Sequence, residues 1–126
     1  MNTWYNLIMS KPNKYTQLNG KYLQDAKKLL KEQDYPQASE KLWGATAQII
    51  KAIALKRGKH LRSHAAIIKY VGVLSKELND NSILISFGIA SSLHQNFYED
   101  WLIPEMVLQY AKTIEKLVKK LKPLAN

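Results

Sequence analysis

The chain of 126 residues contains no cysteine, which excludes disulfide bonds, thiolate metal sites and cysteine nucleophiles. Glycine and proline are scarce, with five and four residues, and no segment alternates as a strand does. No run approaches the roughly 18 continuous apolar residues that a membrane span needs, and residues 1–10 lack the basic start of a signal peptide. We therefore expect one soluble, cytoplasmic domain that covers residues 1–126.

Arginine is scarce as well, because 17 of the 19 basic side chains are lysine and only Arg57 and Arg62 are arginine. At a net charge of +9, the lysines provide a diffuse field that attracts RNA, DNA, anionic lipid or an acidic protein without selecting among them. The candidate nucleic-acid surface is a row on the last predicted helix: Lys112, Lys116, Lys119, Lys120 and Lys122. A solvated helix face explains that row equally well.

Apolar residues recur at three- and four-residue spacing, which predicts an all-α fold, an up-and-down antiparallel bundle of about five helices. The predicted helices cover about residues 14–32, 35–56, a stretch from a cap at 63 to about 78, 82–99 and 104–121. Asp34 and Ser63 are the expected N-caps, and Gly58 is expected to end the second helix in a left-handed conformation.

The second predicted helix is apolar on two faces. One stripe consists of Ala38, Leu42, Ala45, Ile49 and Ala52, and the other of Trp43, Ala47, Ile50 and Ala54. Only a narrow polar edge remains, around Lys41, Gln48 and Lys51. Such a helix is central to a bundle or lies against a partner subunit. Because a single small bundle is not expected to cover the second stripe in full, we predict a symmetric homodimer.

Two segments together resemble a known family. The first extends from Ala38 to Ala54 and is followed by Arg57-Gly58 and Ser63-His64, and the second is Leu93-His94-Gln95-Asn96-Phe97-Tyr98-Glu99. They are similar to the archaeal PaREP family of paralogous-repeat proteins, which is usually grouped with the HEPN superfamily. The resemblance covers about residues 15–121 and implies a compact HEPN-like helical bundle, commonly dimeric, from archaea that are often thermophilic.

The superfamily contains RNA-cleaving members, whose motif is an arginine, four to six residues and then a histidine. It also contains noncatalytic modules that bind nucleotides or partner with nucleotidyltransferases. His94 lacks that arginine, because residues 87–89 are not basic. Arg57 and His64 have six residues between them but lie on either side of the Gly58 loop. The first hypothesis is therefore a noncatalytic, homodimeric module that binds a nucleotide, RNA or a partner protein.

Two alternatives remain open. One is a metal-independent RNA endonuclease in which Arg57 or Arg62 stabilises the phosphate and His94 or His64 is the general acid–base. The other is a purely structural dimer. The candidate ligand-binding residues are Glu40, Trp43, His94, Asn96 and Tyr98.

Each of these candidates has a structural interpretation too. His94 either packs in the core or lines a cleft in which Asn96 or Tyr98 orients a ligand. Glu40 is suited to an ion pair with a lysine, and Trp43 to the core or to stacking on a base.

No cofactor is expected. His60 and His64 are four residues apart, but no third metal ligand is near them in the sequence. Neither a glycine-rich phosphate loop nor a serine-triad signature occurs.

Overall fold

The computed structural model describes residues 13–126, and five α-helices account for most of them. The helices are α1 (Lys14–Lys31), α2 (Tyr35–Lys56), α3 (His64–Glu77), α4 (Ser82–Glu99) and α5 (Pro104–Ala125). No strand occurs among the described residues, so the predicted all-α bundle of five helices is confirmed. Only the end of α5 differs from its predicted position by more than one residue, since the helix continues through Pro123 in its last turn.

Residues 1–10, on which the expectation of no signal peptide rests, lie outside the described part of the chain. Between residues 13 and 126, no helix combines the length and the apolar character that crossing a bilayer requires.

Side-chain caps fix the starts of the first three helices. Asn13, Asp34 and Ser63 each accept hydrogen bonds from backbone N–H groups two or three residues later. These groups have no partner inside the helix, so each cap removes an unsatisfied donor. The predicted caps Asp34 and Ser63 are thereby confirmed. Gly58 has φ +79°, the left-handed conformation expected after α2.

Helix α2 occupies the centre of the bundle and contacts all four other helices. Both of its apolar stripes are buried, and in the second stripe Trp43 is 8% exposed and Ile50 1%. The predicted central position of this helix is confirmed. The argument that the second stripe needs cover from a partner subunit is wrong, because neighbouring helices of the same chain already cover it.

Helix α1 approaches α2 closely at Gly44. A Cβ built on Gly44 would lie only 2.9 Å from Cδ2 of Tyr22, so a glycine is needed where this ring packs. On the same side, the buried Asn19 donates a hydrogen bond to the backbone carbonyl of Ala45 at 2.7 Å. These two contacts fix the position of α1 along α2.

One connection departs from a simple up-and-down order. His64, at the start of α3, packs against Trp43 near the start of α2, whereas Glu77, at the end of α3, binds Arg57 just after α2. Helix α3 therefore runs in the same direction as α2. The chain between them must return over about 21 Å of helix, and seven extended residues reach about 23 Å. The loop 57–63 thus brings the N-terminus of α3 back beside Trp43.

Candidate ligand-binding site

A carboxylate–imidazole pair joins α2 to α4. Nδ1 of His94 lies 3.2 Å from both carboxylate oxygens of Glu40, and the two side chains are 27% and 30% exposed. Because an ionised carboxylate can only accept, Nδ1 is the protonated donor nitrogen. Glu40 therefore orients the ring and leaves Nε2 as the nitrogen available to other groups. His94 is half-buried at the edge of a cleft, and the sequence pattern allowed either that position or the core.

Three aromatic rings, those of Trp43, His64 and Tyr98, lie around this pair. The His94 ring stacks on Trp43 with centroids 4.8 Å apart, and His64 meets Trp43 edge-on at 5.0 Å. The two imidazoles are 5.4 Å apart, and Tyr98 contacts His94 edge-on at 5.6 Å. Since the indole is nearly buried and His94 covers one face, Trp43 is a wall of the site and not an open stacking platform.

Two cavities adjoin at the Trp43–His64 contact, since both residues line both cavities. The larger, the basic cleft, has a volume of about 510 Å³ between α1, α2 and the start of α3. Its lining includes Glu40, Lys41, Trp43, Ala47, Gln48, Lys51, Arg62, Ser63, His64 and Ile67. The smaller, the aromatic pocket, has a volume of about 320 Å³ between α2, α3 and α4. Trp43, His64, Ile68, Phe87, Ser91, His94, Gln95 and Tyr98 line it.

Positive charge dominates the basic cleft. Lys41 is partly neutralised, because its Nζ lies 3.3 Å from a carboxylate oxygen of Asp25 and also over the Tyr22 ring. Lys51 and Arg62 have no ionic partner among residues 13–126, and Glu40 is already bonded to His94. The cleft therefore carries an unbalanced positive charge, and its lining also includes the apolar side chains of Ala47 and Ile67.

The basic cleft also contains an unsatisfied polar atom. Oε1 of Gln48 is buried and has no hydrogen-bond partner in the described part of the chain. Buried acceptors without a partner are rare because each loses its hydration without compensation. Gln48 lines the basic cleft, so a donor that reached this atom would be favourable.

Arg57 lies at the opposite end of α2 from these cavities. Its guanidinium donates two 2.8 Å hydrogen bonds to the carboxylate of Glu77 and one of 3.1 Å to the Tyr70 hydroxyl. The bond from Arg57 lowers the pKa of Glu77, and Glu77 in turn raises the pKa of Arg57. Arg57 and His64 therefore do not form a shared site, although their spacing in the sequence matches the nuclease motif. Arg62 is the arginine that lies with His64.

Asn96 has a structural role in place of the predicted ligand contact. It is fully buried, and its Nδ2 donates to Ser39 Oγ at 3.0 Å. Its Oδ1 accepts from the backbone N–H groups of Trp101 and Leu102 at 2.9 and 2.8 Å. With donor and acceptor both engaged inside the protein, this amide fixes the corner between α4 and α5 and does not line either cavity.

The remaining predicted residues lie apart from the basic cleft and the aromatic pocket. The lysines 112, 116, 119 and 120 are exposed on α5, which contributes no side chain to the basic cleft. Lys120 forms an ion pair with Asp80 and, with Ser82, lowers the pKa of that carboxyl to about 2. His60 is exposed in the α2–α3 loop, and residues 13–126 hold no cluster of three potential His, Asp or Glu ligands for a metal ion.

The sequence pattern did contain a signal for the cleft residues that were not proposed as a site. Lys41, Gln48 and Lys51 form the polar edge of a helix that is otherwise apolar. A polar edge on a central helix faces either bulk solvent or a cavity. Here it faces a cavity, because the returning α2–α3 loop places Arg62 and His64 beside that edge.

A five-helix bundle with a polar cavity beside its central helix defines the class of protein. The model of the archaeal PaREP1/PaREP8 family matches residues 14–118, from the start of α1 to near the end of α5, and the chain belongs to that family. The fold is similar to the crystal structure of a protein from Sulfolobus solfataricus, with a TM-score of 0.76 at 22% identity. That similarity covers 86% of this chain and 97% of the other. None of the curated proteins matches the chain. The grouping with the HEPN superfamily stays a prediction.

Proposed function

We propose that the protein is a noncatalytic, homodimeric helical module that binds a phosphate-bearing ligand in the basic cleft. The observation that carries the proposal is the excess of positive charge around a preformed cavity. Lys51 and Arg62 lack ionic partners in the described region, and Glu40, an acid of the cleft lining, is bonded to His94. Anions bind where cations converge on a cavity whose walls exclude part of the solvent.

Two further features favour an anion that carries hydrogen-bond donors. The N-terminus of α3 lines the cleft through Ser63 and His64, and the first-turn N–H groups of a helix carry partial positive charge. The unpartnered Oε1 of Gln48, a residue of the cleft lining, would accept a hydrogen bond from an amino or hydroxyl group that reached it. A phosphate ester of a hydroxyl-bearing molecule, such as a nucleotide or an RNA segment, supplies both.

Calorimetric titration with pyrophosphate and with a short single-stranded RNA at about 50 mM salt tests the site. We expect Lys51→Gln combined with Arg62→Gln to weaken binding of both at least tenfold. The matched control is Lys112→Gln combined with Lys119→Gln, which removes the same charge from the exposed face of α5. An equal loss of affinity in the two double variants would show that binding depends on the overall positive charge of the protein and not on the basic cleft. No binding by the wild-type protein would reject the proposal.

The homodimer is proposed on a different surface from the one that the sequence suggested. From residue 82 to residue 98, α4 has no Asp, Glu, Lys or Arg, although charged residues make up 23% of the chain. Leu84 and Ile85 on this helix are 47% and 69% exposed. Two copies of a chain with a net charge of +9 repel each other. A second copy therefore meets the least repulsion at a surface without lysines. The surface we propose is the uncharged stripe on α4 that consists of Leu84, Ile85, Gly88 and Ser92.

Sedimentation of Gly88→Arg at micromolar concentration tests this interface. A Cβ at Gly88 would meet no atom within 4 Å, so the substitution leaves the monomer fold intact and places a charge in the stripe. Gly20→Arg is the matched control, because its Cβ on α1 is equally unobstructed. We expect a wild-type dimer that Gly88→Arg dissociates and Gly20→Arg does not. A wild-type monomer would remove the dimer from the proposal.

One observation favours the endonuclease alternative: the His64 and His94 rings lie 5.4 Å apart beside the cleft that Arg62 lines. A pair of imidazoles can supply a base and an acid to phosphodiester cleavage without a metal ion. Incubation of labelled RNA with wild type and with His94→Gln distinguishes the two functions. Intact RNA is expected. Cleavage that His94→Gln abolishes would replace the noncatalytic assignment.

A further inference from the structure

The aromatic pocket differs in chemistry from the basic cleft beside it. Its walls are largely apolar and aromatic, and they include Ile68, Phe87 and the exposed ring of Tyr98. Lysine, arginine, aspartate and glutamate are all missing from its lining. Its volume of about 320 Å³ is at the lower end of the range for small-molecule sites, which suits a single flat ring system.

The two cavities share a boundary. Trp43 and His64 line both, and the two rings touch edge-on at 5.0 Å. A ligand that fills both therefore has an anionic part and a flat apolar part joined by a short linker that passes the His64 ring. Phosphate joined to a heterocyclic base through a sugar has this arrangement.

Two polar side chains in the aromatic pocket are suited to the edge of a base. Gln95 is exposed, and its amide has no hydrogen-bond partner in the described region. The Ser91 hydroxyl donates to the carbonyl of Phe87 at 3.2 Å, which leaves its lone pairs as acceptors. A glutamine amide pairs with adenine through one donor and one acceptor.

Resting on the proposed function, we infer that the ligand of the basic cleft is an adenine nucleotide whose base occupies the aromatic pocket. Tyr98 stacks on the base at the rim, Gln95 bonds its edge, and the phosphates lie between Lys51 and Arg62. Tyr98 is 70% exposed, so its ring gains substantial contact only when a ligand covers it.

Titrations with ADP, CDP, adenosine and pyrophosphate, each against the full chain, test the inference. We expect ADP to bind at least tenfold more tightly than pyrophosphate, and more tightly than CDP. Tyr98→Ala should weaken ADP about tenfold and leave pyrophosphate unchanged, whereas Arg62→Gln should weaken both. Gln95→Leu should remove the preference for ADP over CDP.

The matched control is Trp101→Ala, since Trp101 is an exposed aromatic at the α4–α5 corner that lines neither cavity. It should bind ADP as wild type does. If ADP and pyrophosphate bind equally and Tyr98→Ala changes neither, the base site is refuted while the phosphate site stands. If RNA binds and ADP does not, the mononucleotide is refuted. If none of these ligands binds, the proposed function fails together with the inference.

Discussion

Replacing Asn96 by alanine is expected to be among the most destabilising single changes at the helix corners. The asparagine amide links α4, the α4–α5 corner and Ser39 on α2 through three hydrogen bonds, and it is fully buried. Alanine removes the only hydrogen-bond acceptor that the structure shows for the backbone N–H groups of Trp101 and Leu102.

The size of the effect follows from burial. Leu102 is 9% exposed, so its N–H cannot readily exchange its partner for water, and a buried donor without a partner costs about 1–3 kcal/mol. The N–H of Trp101 is partly accessible and adds about 1 kcal/mol. We therefore expect a loss of about 3 kcal/mol in the free energy of unfolding. For a chain of 126 residues this corresponds to a fall of about 10 °C in Tm.

Urea denaturation followed by far-ultraviolet circular dichroism measures this loss. Ser39→Ala removes the acceptor of the Asn96 amide nitrogen and the hydrogen bond that Ser39 Oγ donates to the Tyr35 carbonyl, and it should cost about 1–2 kcal/mol. Gln95→Ala, at the exposed neighbouring position, should stay within about 0.5 kcal/mol of wild type. If Asn96→Ala is as stable as Gln95→Ala, or if Ser39→Ala costs as much as Asn96→Ala, the hydrogen bonds to the corner do not stabilise the fold as argued.

Three further predictions concern the framework. Gly44→Ala should lower the free energy of unfolding by about 1–3 kcal/mol, because the new Cβ displaces the Tyr22 ring, and a normal urea midpoint would contradict the close approach. Gln33→Gly should raise the free energy of unfolding by about 0.5–1 kcal/mol, because Gln33 has φ 63° and glycine adopts that conformation without strain. An unchanged or lower urea midpoint would contradict the strain at Gln33. Asp80 has a folded pKa of about 2 against 3.8 unfolded, so its contribution is present above pH 4 and lost as the pH falls towards 2. Urea midpoints between pH 2 and 6 should therefore fall less steeply at acidic pH for Asp80→Asn than for wild type, and parallel curves would refute the linkage.

Local signals predicted most of the fold. Caps at Asp34 and Ser63 and the left-handed Gly58 each act within a few residues, and all three appear where the sequence placed them. The direction of α3 could not be predicted in this way. A loop of seven residues permits either a tight reversal or a return along α2, and the long-range contacts Trp43–His64 and Arg57–Glu77 distinguish them.

The candidate site was predictable only where residue type alone marks a residue, and not where its role depends on the path of the chain. Glu40, Trp43 and His94 stood out by residue type, and the structure brings them into contact. Lys51 was read only as part of a polar edge, because its importance depends on α3 returning beside it. The burial of Asn96 could not be predicted, since a buried amide that closes a helix corner and an exposed amide that binds a ligand look the same in a sequence.

Helix α2 accounts for the close connection between fold and site. Its buried stripes contribute to the core, whereas its polar edge lines the basic cleft, so the same rigid element determines both. Trp43 belongs to the core and to both cavities at once, and His94 is positioned by stacking on Trp43 and by its bond to Glu40 one turn earlier on α2. The residues of the candidate site are therefore held in place by the fold itself, which would reduce the entropy lost if a ligand binds there. A substitution at Trp43 would alter stability and both cavities together. The exposed residues Arg62, Gln95 and Tyr98 can be changed without unfolding the core, and they are the positions at which the ligand chemistry is best tested.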